Sequence, residues 1–361
     1  MSRRRQMIII SMFVFLTLCV VFCLISYNSA AGRLEAQKAA RRWAGESGER
    51  AAQVSCFFPV GREIDEGAIR SFRETVEAKL LEVSIEAPET GRLFADAWSA
   101  GAEVTAESDR ASARTYVTGV GGDFFLFHPL RLRSGAYISG DDLMRDRVVL
   151  DEEMAWKLFG ALDVAGFTLT IDGENYIVAG VVERETDAHS KAAYTDGDSM
   201  FVPYEALKPD DEAGISCYEI VMPDPISGFA LGLAEEKFGN TADITENSKR
   251  YGLGSIFGVL FDYSERVMRR DGMAYPYWEN AARLAENKMA ALLFAMLIFS
   301  LFPLICIVTA SVFVFKRGRR KIRAAVLVFL NSREERLLKR YTENRRKKYG
   351  EHYAEEYNES L

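Results

Sequence analysis

Two long runs without a charged residue, Met7 to Tyr27 and Met289 to Phe315, frame the chain. About 20 consecutive apolar residues cross a bilayer core, so 7–27 and 289–315 are each expected to be a transmembrane helix. Pro303 inside the second run marks a kink of a kind that lipid-embedded helices tolerate. Past Phe315 the pattern changes abruptly to a basic block, Lys316, Arg317, Arg319, Arg320, Lys321 and Arg323. From there Ile322, Val326, Phe329, Leu330 and Leu337 recur on one helical face, which predicts a second helix starting at the membrane surface.

Between the runs the periodicity changes. Over 28–50, and again in ENAARLAENK over 279–288, charged residues mix with alanine at helical character, so both segments are expected to be stalks that prolong the spans. Val54–Phe58 reads as a strand. Asp65 can cap a helix whose Ile69, Phe72, Val76 and Leu80 share a face, and Val83, Ile85 and Ala87 alternate as a strand does. The pattern returns with a strand at Cys217–Met222, a turn at Pro223–Pro225, a helix marked by Ile226, Phe229, Ala230 and Leu233, and a last strand at Asp243–Asn247. Two such units, 51–87 and 216–250, predict a split β-α-β fold interrupted by a β-rich insertion, 88–215. In the insertion, DEEMAWKLFG predicts a helix from Asp151 that stops at Gly160. Asp172-Gly173 between alternating apolar runs is a hairpin signal, and a polar loop over Glu183–Ser199 precedes an ordered Met200–Leu207. The expected fold class is α+β: a membrane protein with two transmembrane helices and an outer domain, 28–288, of a split β-α-β part plus an inserted β-rich part.

Charge sets the orientation. The net charge is −7, yet residues 316–361 carry 14 Lys/Arg against 7 Asp/Glu and Arg3–Arg5 add three more positive charges, so the segment between the spans is strongly acidic. Such a segment is a poor partner for nucleic acid. Positive flanks at both ends place 1–6 and 316–361 in the cytoplasm, with Arg33, Lys38, Arg41 and Arg42 as a weaker opposing signal. A cleaved signal peptide, with Ser29-Ala30-Ala31 as the site, is the competing reading of the first run, although that run is longer than a usual signal core. Of five cysteines, Cys19, Cys23 and Cys306 fall in the spans; Cys56 and Cys217 lie outside, either as a disulfide or as two buried thiols. Tyr275, Tyr277 and Trp278 suit either a lipid interface or packing in the outer domain.

Several pieces in order, TGVGGDFF (Thr118–Phe125), LRLRSG (Leu130–Gly135), RVVLDEEMAWKLFG (Arg147–Gly160), Gly166, the hairpin, VAGVV (Val178–Val182) and FVPYEAL, resemble the periplasmic core domain of MacB-type, FtsX-like ABC transporter permeases. The resemblance covers about residues 7 to 340. It implies an outer domain between two spans and, after the second span, a cytoplasmic helix that docks on a separate ATPase. Arg319, Arg320, Lys321, Arg323 and Arg333 are the docking candidates; by spacing alone this is a basic amphipathic helix, and a helix lying on the membrane is the alternative. Gly135, Leu158, Phe159, Gly160, Gly166, Asp172, Gly173 and Gly180 carry the outer-domain motif in structural roles. Two departures stand out: Ala136 follows Gly135 where the family has arginine, and the polar sequence after Leu338 holds no third or fourth span. The resemblance thus implies an ABC ATPase as partner, with a full-length permease or a second copy of this chain beside it, in the plasma membrane.

Little else points to chemistry. There is no GxxxxGK[ST] loop for a nucleotide, and the three histidines, His128, His189 and His352, have no metal-ligand spacing. Asp187, His189 and Ser190 are too close in sequence for a triad, which draws on separated loops. Thr195-Asp-Gly-Asp-Ser has calcium-type oxygens but lacks the distal glutamate. No catalytic residue, cofactor or metal is expected. A permease-like subunit working by mechanotransmission is the leading expectation, and a membrane-anchored binding or sensory protein the alternative.

Overall fold

The computed structural model describes residues 3–32, 34–45, 49–87, 91–140, 142, 144–194, 198–207, 214–262, 269–270 and 273–358; Arg33 and Thr195–Gly197, named above, lie outside them. The chain divides into two compact units, Phe22–Ala295 and the pair of segments Met1–Val21 with Met296–Leu361.

The first helix, α1 (Arg3–Ala31), contains the first apolar run and is followed by a short 3-10 turn and α2 (Ala39–Ala44). Strand β1 (Ala51–Phe57) leads to α3 (Glu66–Glu82), capped by the Asp65 carboxylate accepting from the Ala68 amide at 2.8 Å. Ile69, Phe72, Val76 and Leu80 are all buried, as their spacing predicts. The strand expected at Val83–Ala87 does not form: the helix ends at Glu82, Ser84 takes φ 61°, and the next strand is β2 (Ala95–Glu107). Alternation over so few residues is weak pressure, and a strand here would have to begin in the tight reversal that ends α3.

The insertion supplies β3 (Ser112–Gly122), α4 (Phe124–Phe127), β4 (Leu132–Gly135), β5 (Arg147–Asp151), α5 (Glu152–Phe159), β6 (Thr168–Ile171), β7 (Glu174–Val182), α6 (Ala188–Ala193) and β8 (Asp198–Pro203). The second β-α-β unit is β9 (Cys217–Pro223), α7 (Phe229–Phe238) and β10 (Asp243–Glu246). Ile226, expected in α7, lies before it and is exposed. There follow α8 (Leu253–Asp262), the two-residue strands β11 (Arg269–Arg270) and β12 (Met273–Ala274), and α9 (Tyr277–Asn358).

The strands run in the order β10-β1-β9-β2-β3-β8-β5-β7-β4. In its first four, β9 lies between β1 and β2 and β1 between β9 and β10, all antiparallel, which is the interleaving of a split β-α-β fold. Because β6 pairs with both β2 and β7, the ring β2-β3-β8-β5-β7-β6 closes on itself. Closure removes free edges, and β2, 13 residues long, belongs to both parts.

Strands β1 and β9 are buried at nearly every position, so both faces of that sheet are covered. One face packs on α3 and α7 through Val54, Cys56, Tyr218 and Ile220. The other packs on Leu34, Ala36, Ala39 and Ala40 from the N-terminal side and Tyr277, Trp278, Ala281, Ala282 and Ala285 from α9. The two segments expected to be stalks therefore form the lid of this core. Burial of the small alanine faces, at roughly 25 cal/mol per Å² of apolar surface, explains why they stay with the domain. Cys56 and Cys217 are buried free thiols.

Helix α9 is a single element of 82 residues that continues through Pro303 and the basic block, in place of the new helix expected there. Gly318 alone costs only about 1 kcal/mol in a helix and the flanking Lys and Arg are good helix formers, so nothing in the block ends it. By length and composition, Arg3–Ala30 and Tyr277–Tyr341 can each cross a membrane.

Candidate functional site

On the second sheet face the odd positions of β1 and β9 carry polar groups, Gln53, Ser55 and Glu219, in a core that is otherwise apolar. The 3-10 turn Asn247–Lys249 after β10 directs Arg250 into the same layer, where the residue is 3% exposed. Its guanidinium grips Glu279 with two bonds, 2.6 and 2.8 Å, and Glu286 with two more, 2.9 and 3.2 Å. Seven residues are about two helical turns, so the two carboxylates present one face of α9 to one arginine. Arg283, a turn below Glu286, donates to Glu279 at 2.6 Å and to Asp243 of β10 at 2.8 Å, and lies over the Tyr275 ring at 3.6 Å.

The network continues into the sheet. Arg250 donates to the Asn247 side-chain oxygen (3.1 Å), the Asn247 amide donates to the Ser55 hydroxyl (2.7 Å), and that hydroxyl donates to Glu219 (2.6 Å). The other Glu219 oxygen meets His128 Nε2, from the turn after α4, and the His128 ring packs 4.2 Å from Trp278 of α9. A connected chain of buried polar contacts thus joins the insertion, the central strands and the start of the last helix.

Burial drives the charges together. It pushes Glu279 toward the neutral form, but the paired guanidiniums of Arg250 and Arg283 outweigh it and hold the carboxyl below its ordinary value. Burial likewise disfavours charged Arg250, and Glu279 and Glu286 reverse this and raise it. Burial and the Asp243 hydrogen bond lift Tyr275 to about 12. Buried ion pairs add little net stability, yet removing one partner strands the other and costs several kcal/mol. Such an arrangement fixes one register of a helix on a sheet. Sequence reasoning missed it. The only local signal is the spacing of Glu279, Arg283 and Glu286 on one face of α9, and their partner Arg250 lies 29 residues from Glu279.

The docking candidates Arg319, Arg320, Lys321, Arg323 and Arg333 are all exposed on α9, with Arg319 stacked over Phe315 at 5.2 Å. At about 100° per residue, Arg319 and Arg333 share the arc of Ile322 and Val326, so the helix has a mixed apolar and basic side.

The outer-domain motif residues fall in three places. Gly135 and Gly180 are directly opposed in the β4–β7 pair, where a Cβ on either would run into the backbone of the other strand, and the Gly166 amide bonds the Val178 carbonyl at 2.8 Å. Leu158 is fully buried, Phe159 packs edge-on to Phe167, and Gly160 closes α5 in the left-handed conformation, φ 71°. Asp172 and Gly173 take φ 50° and 87°, the signature of the tight I′ hairpin turn, and the Asp172 carboxylate accepts from the Thr105 amide of β2 at 2.8 Å. All are scaffold contacts.

A cleft of about 620 Å³ opens between α3, β2 and the insertion. In it Arg73 makes two 2.7 Å bonds to Asp96 and lies 5.2 Å from the Trp98 ring, while Arg92 pairs with Asp123. The Asp187 carboxylate caps α6, accepting from the His189 amide at 2.9 Å and the Ser190 amide at 3.1 Å. Among the described residues no cluster of three or more His, Cys, Asp or Glu could hold a metal.

Residues 46–227 match the sequence model of a family described as the MacB-like periplasmic core domain. No curated protein sequence matches the chain. Among solved structures, the extracellular domain of the noncanonic ABC-type transporter YknZ from Gram-positive bacteria is similar at 16% identity, over 54% of this chain and 98% of that one, with a TM-score of 0.38. The periplasmic region of MacB from Actinobacillus actinomycetemcomitans is similar at 16% identity, over 60% and 93%, with a TM-score of 0.39.

Proposed function

We propose that this chain, which belongs to the MacB-like periplasmic core domain family, couples a separate ATPase to its outer domain by movement carried along α9. It is a membrane subunit of the transporter-permease type. The first and last residues lie in the cytoplasm and 28–288 outside. Arg319, Arg320, Lys321, Arg323 and Arg333 receive the ATPase on the inner side. At the other end of the same helix, Arg250 holds Glu279 and Glu286 to the sheet, and Glu219 and His128 extend that hold to the insertion. A push or turn of the helix thereby reaches the sheet and the insertion as one body, and serves export or release of an extracytoplasmic substrate.

The observation that supports this most is the continuity of α9, one helix from Tyr277 in the buried network to beyond Arg333 in the basic stretch. The test is ATPase activity that co-purifies with the full chain from native membranes in mild detergent. Replacing the five basic residues by alanine is expected to abolish it while membrane insertion stays intact; retained activity would contradict the docking role. A binding or sensory role is the second reading, favoured by the cleft around Arg73, Asp96 and Trp98. It predicts that no ATPase accompanies even the wild-type chain.

A further inference from the structure

Helix α8 has a face that the outer domain leaves uncovered. Ile256 and Val259 are buried, while Leu253, Phe257 and Phe261, four residues apart in turn, are 65%, 48% and 75% exposed. Phe257 and Phe261 lie edge to face at 5.3 Å, and Asp262 at the very end is the only charged residue in the helix. Three large apolar side chains in one stripe are costly to leave in water, at about 1.5–3 kcal/mol each.

The position of α8 says what covers them. Tyr27, the last residue of the first apolar run, donates its hydroxyl to the Tyr251 carbonyl at 3.2 Å. Leu253 is two residues further on, and two residues reach at most about 7 Å. The interfacial layer on each side of the hydrocarbon core is itself several Å deep, roughly 5–8 Å. Phe22 and Ile25, in the last turns of the span and in the same compact unit, are also exposed. The start of the apolar stripe thus lies within a few residues of the point where the first apolar run ends.

We infer that α8 is an interfacial helix, lying in the outer membrane-water boundary with Leu253, Phe257 and Phe261 in the lipid. Helices of this kind bury their apolar face about 5–10 Å into the headgroup and acyl boundary. Here it would hold the base of the outer domain at a fixed height beside the span. The inference rests on Met7–Tyr27 being a span and is independent of any ATPase.

The experiment uses the full chain in phosphatidylcholine liposomes, with its five cysteines replaced by serine or alanine and a bimane label on a single cysteine. Sites are F257C, F261C and, as an exposed control on α5 of the insertion, W156C; all are surface positions, so labelling leaves the fold unchanged, which a thermal melt checks. Doxyl-phosphatidylcholine is expected to quench the labels at 257 and 261 at least about twofold more than at 156, with aqueous iodide showing the reverse order. Equal quenching at all three sites would overturn the inference. So would labels at 257 and 261 shielded from both quenchers, since a second copy or another protein would then cover the stripe.

Discussion

Two stretches of α9 carry the same kinds of side chain and put them to opposite uses. In Tyr277–Ala290 the charges Glu279, Arg283 and Glu286 are buried and paired with Arg250 and Asp243. In Lys316–Leu338 the arginines are exposed. The difference is the neighbour: the first stretch has alanines at 281, 282 and 285 that let it lie close on the sheet, so its charges are desolvated and need partners. The second exposes Ile322, Val326 and Phe329 together with its charges and is the surface proposed above to receive the ATPase. Charge along a helix is thus uninformative about burial until the surface the helix lies on is known.

The sharpest way to break this contrast is Arg250→Ala, which leaves Glu279 and Glu286 buried without their partner. It is expected to lower the stability of the outer domain by ~3–5 kcal/mol, read by urea denaturation of the full chain in detergent. Arg250→Met combined with Glu279→Gln and Glu286→Gln is expected to recover most of that loss; a combined variant as unstable as the single one would mean that the charges themselves hold the helix. Arg283→Ala comes next, at ~1.5–3 kcal/mol for lost charge-assisted bonds, in the same assay. At the small end, Arg323→Ala is expected to change stability by no more than ~0.5 kcal/mol while weakening ATPase co-purification, and a larger destabilisation would show that this stretch also packs.

Acid titration sharpens the contrast from another side. Glu279 is held below its ordinary 4.5, so its stabilising contribution is present above that value and fades as pH falls through its lowered folded-state value. The stability gap between the wild type and Glu279→Gln should therefore shrink on acidification. Asp151 behaves oppositely. Burial raises it from 3.8 to about 6 against the pull of the Met154 amide and Arg184, so its contribution is full below 3.8 and is lost as pH rises through about 6. Asp151→Asn should flatten the stability profile across that window.

Local rules made much of the fold legible. The Asp65 cap with Ile69, Phe72, Val76 and Leu80, the Asp172-Gly173 turn, and the Asp151-to-Gly160 helix need only neighbouring residues to specify them, and each forms where its pattern lies. The repetition of strand, helix and strand predicted a split β-α-β fold, but the strand that completes its first unit is β2, inside the expected insertion, and not Val83–Ala87. What stayed hidden depends on contacts distant in sequence. ENAARLAENK reads as a solvated stalk because its charges give no sign of Arg250, and Ala36 and Ala39 give none of the sheet they cover. The mostly apolar runs Val54–Phe58 and Cys217–Met222, broken only by Ser55 and Glu219, were the available clue, since a strand apolar on both faces needs a cover on both sides. The docking candidates rest on the family resemblance and on exposure, and only a partner can test them.

The most direct measurement is hydrogen exchange at the amides of Tyr277–Ala290 in the complex purified from native membranes, with and without ATP and vanadate. Transmission along α9 predicts that nucleotide trapping changes protection there in the wild type and leaves it unchanged when Arg319, Arg320, Lys321, Arg323 and Arg333 are alanine. Identical protection in both nucleotide states of the wild-type complex would contradict the account.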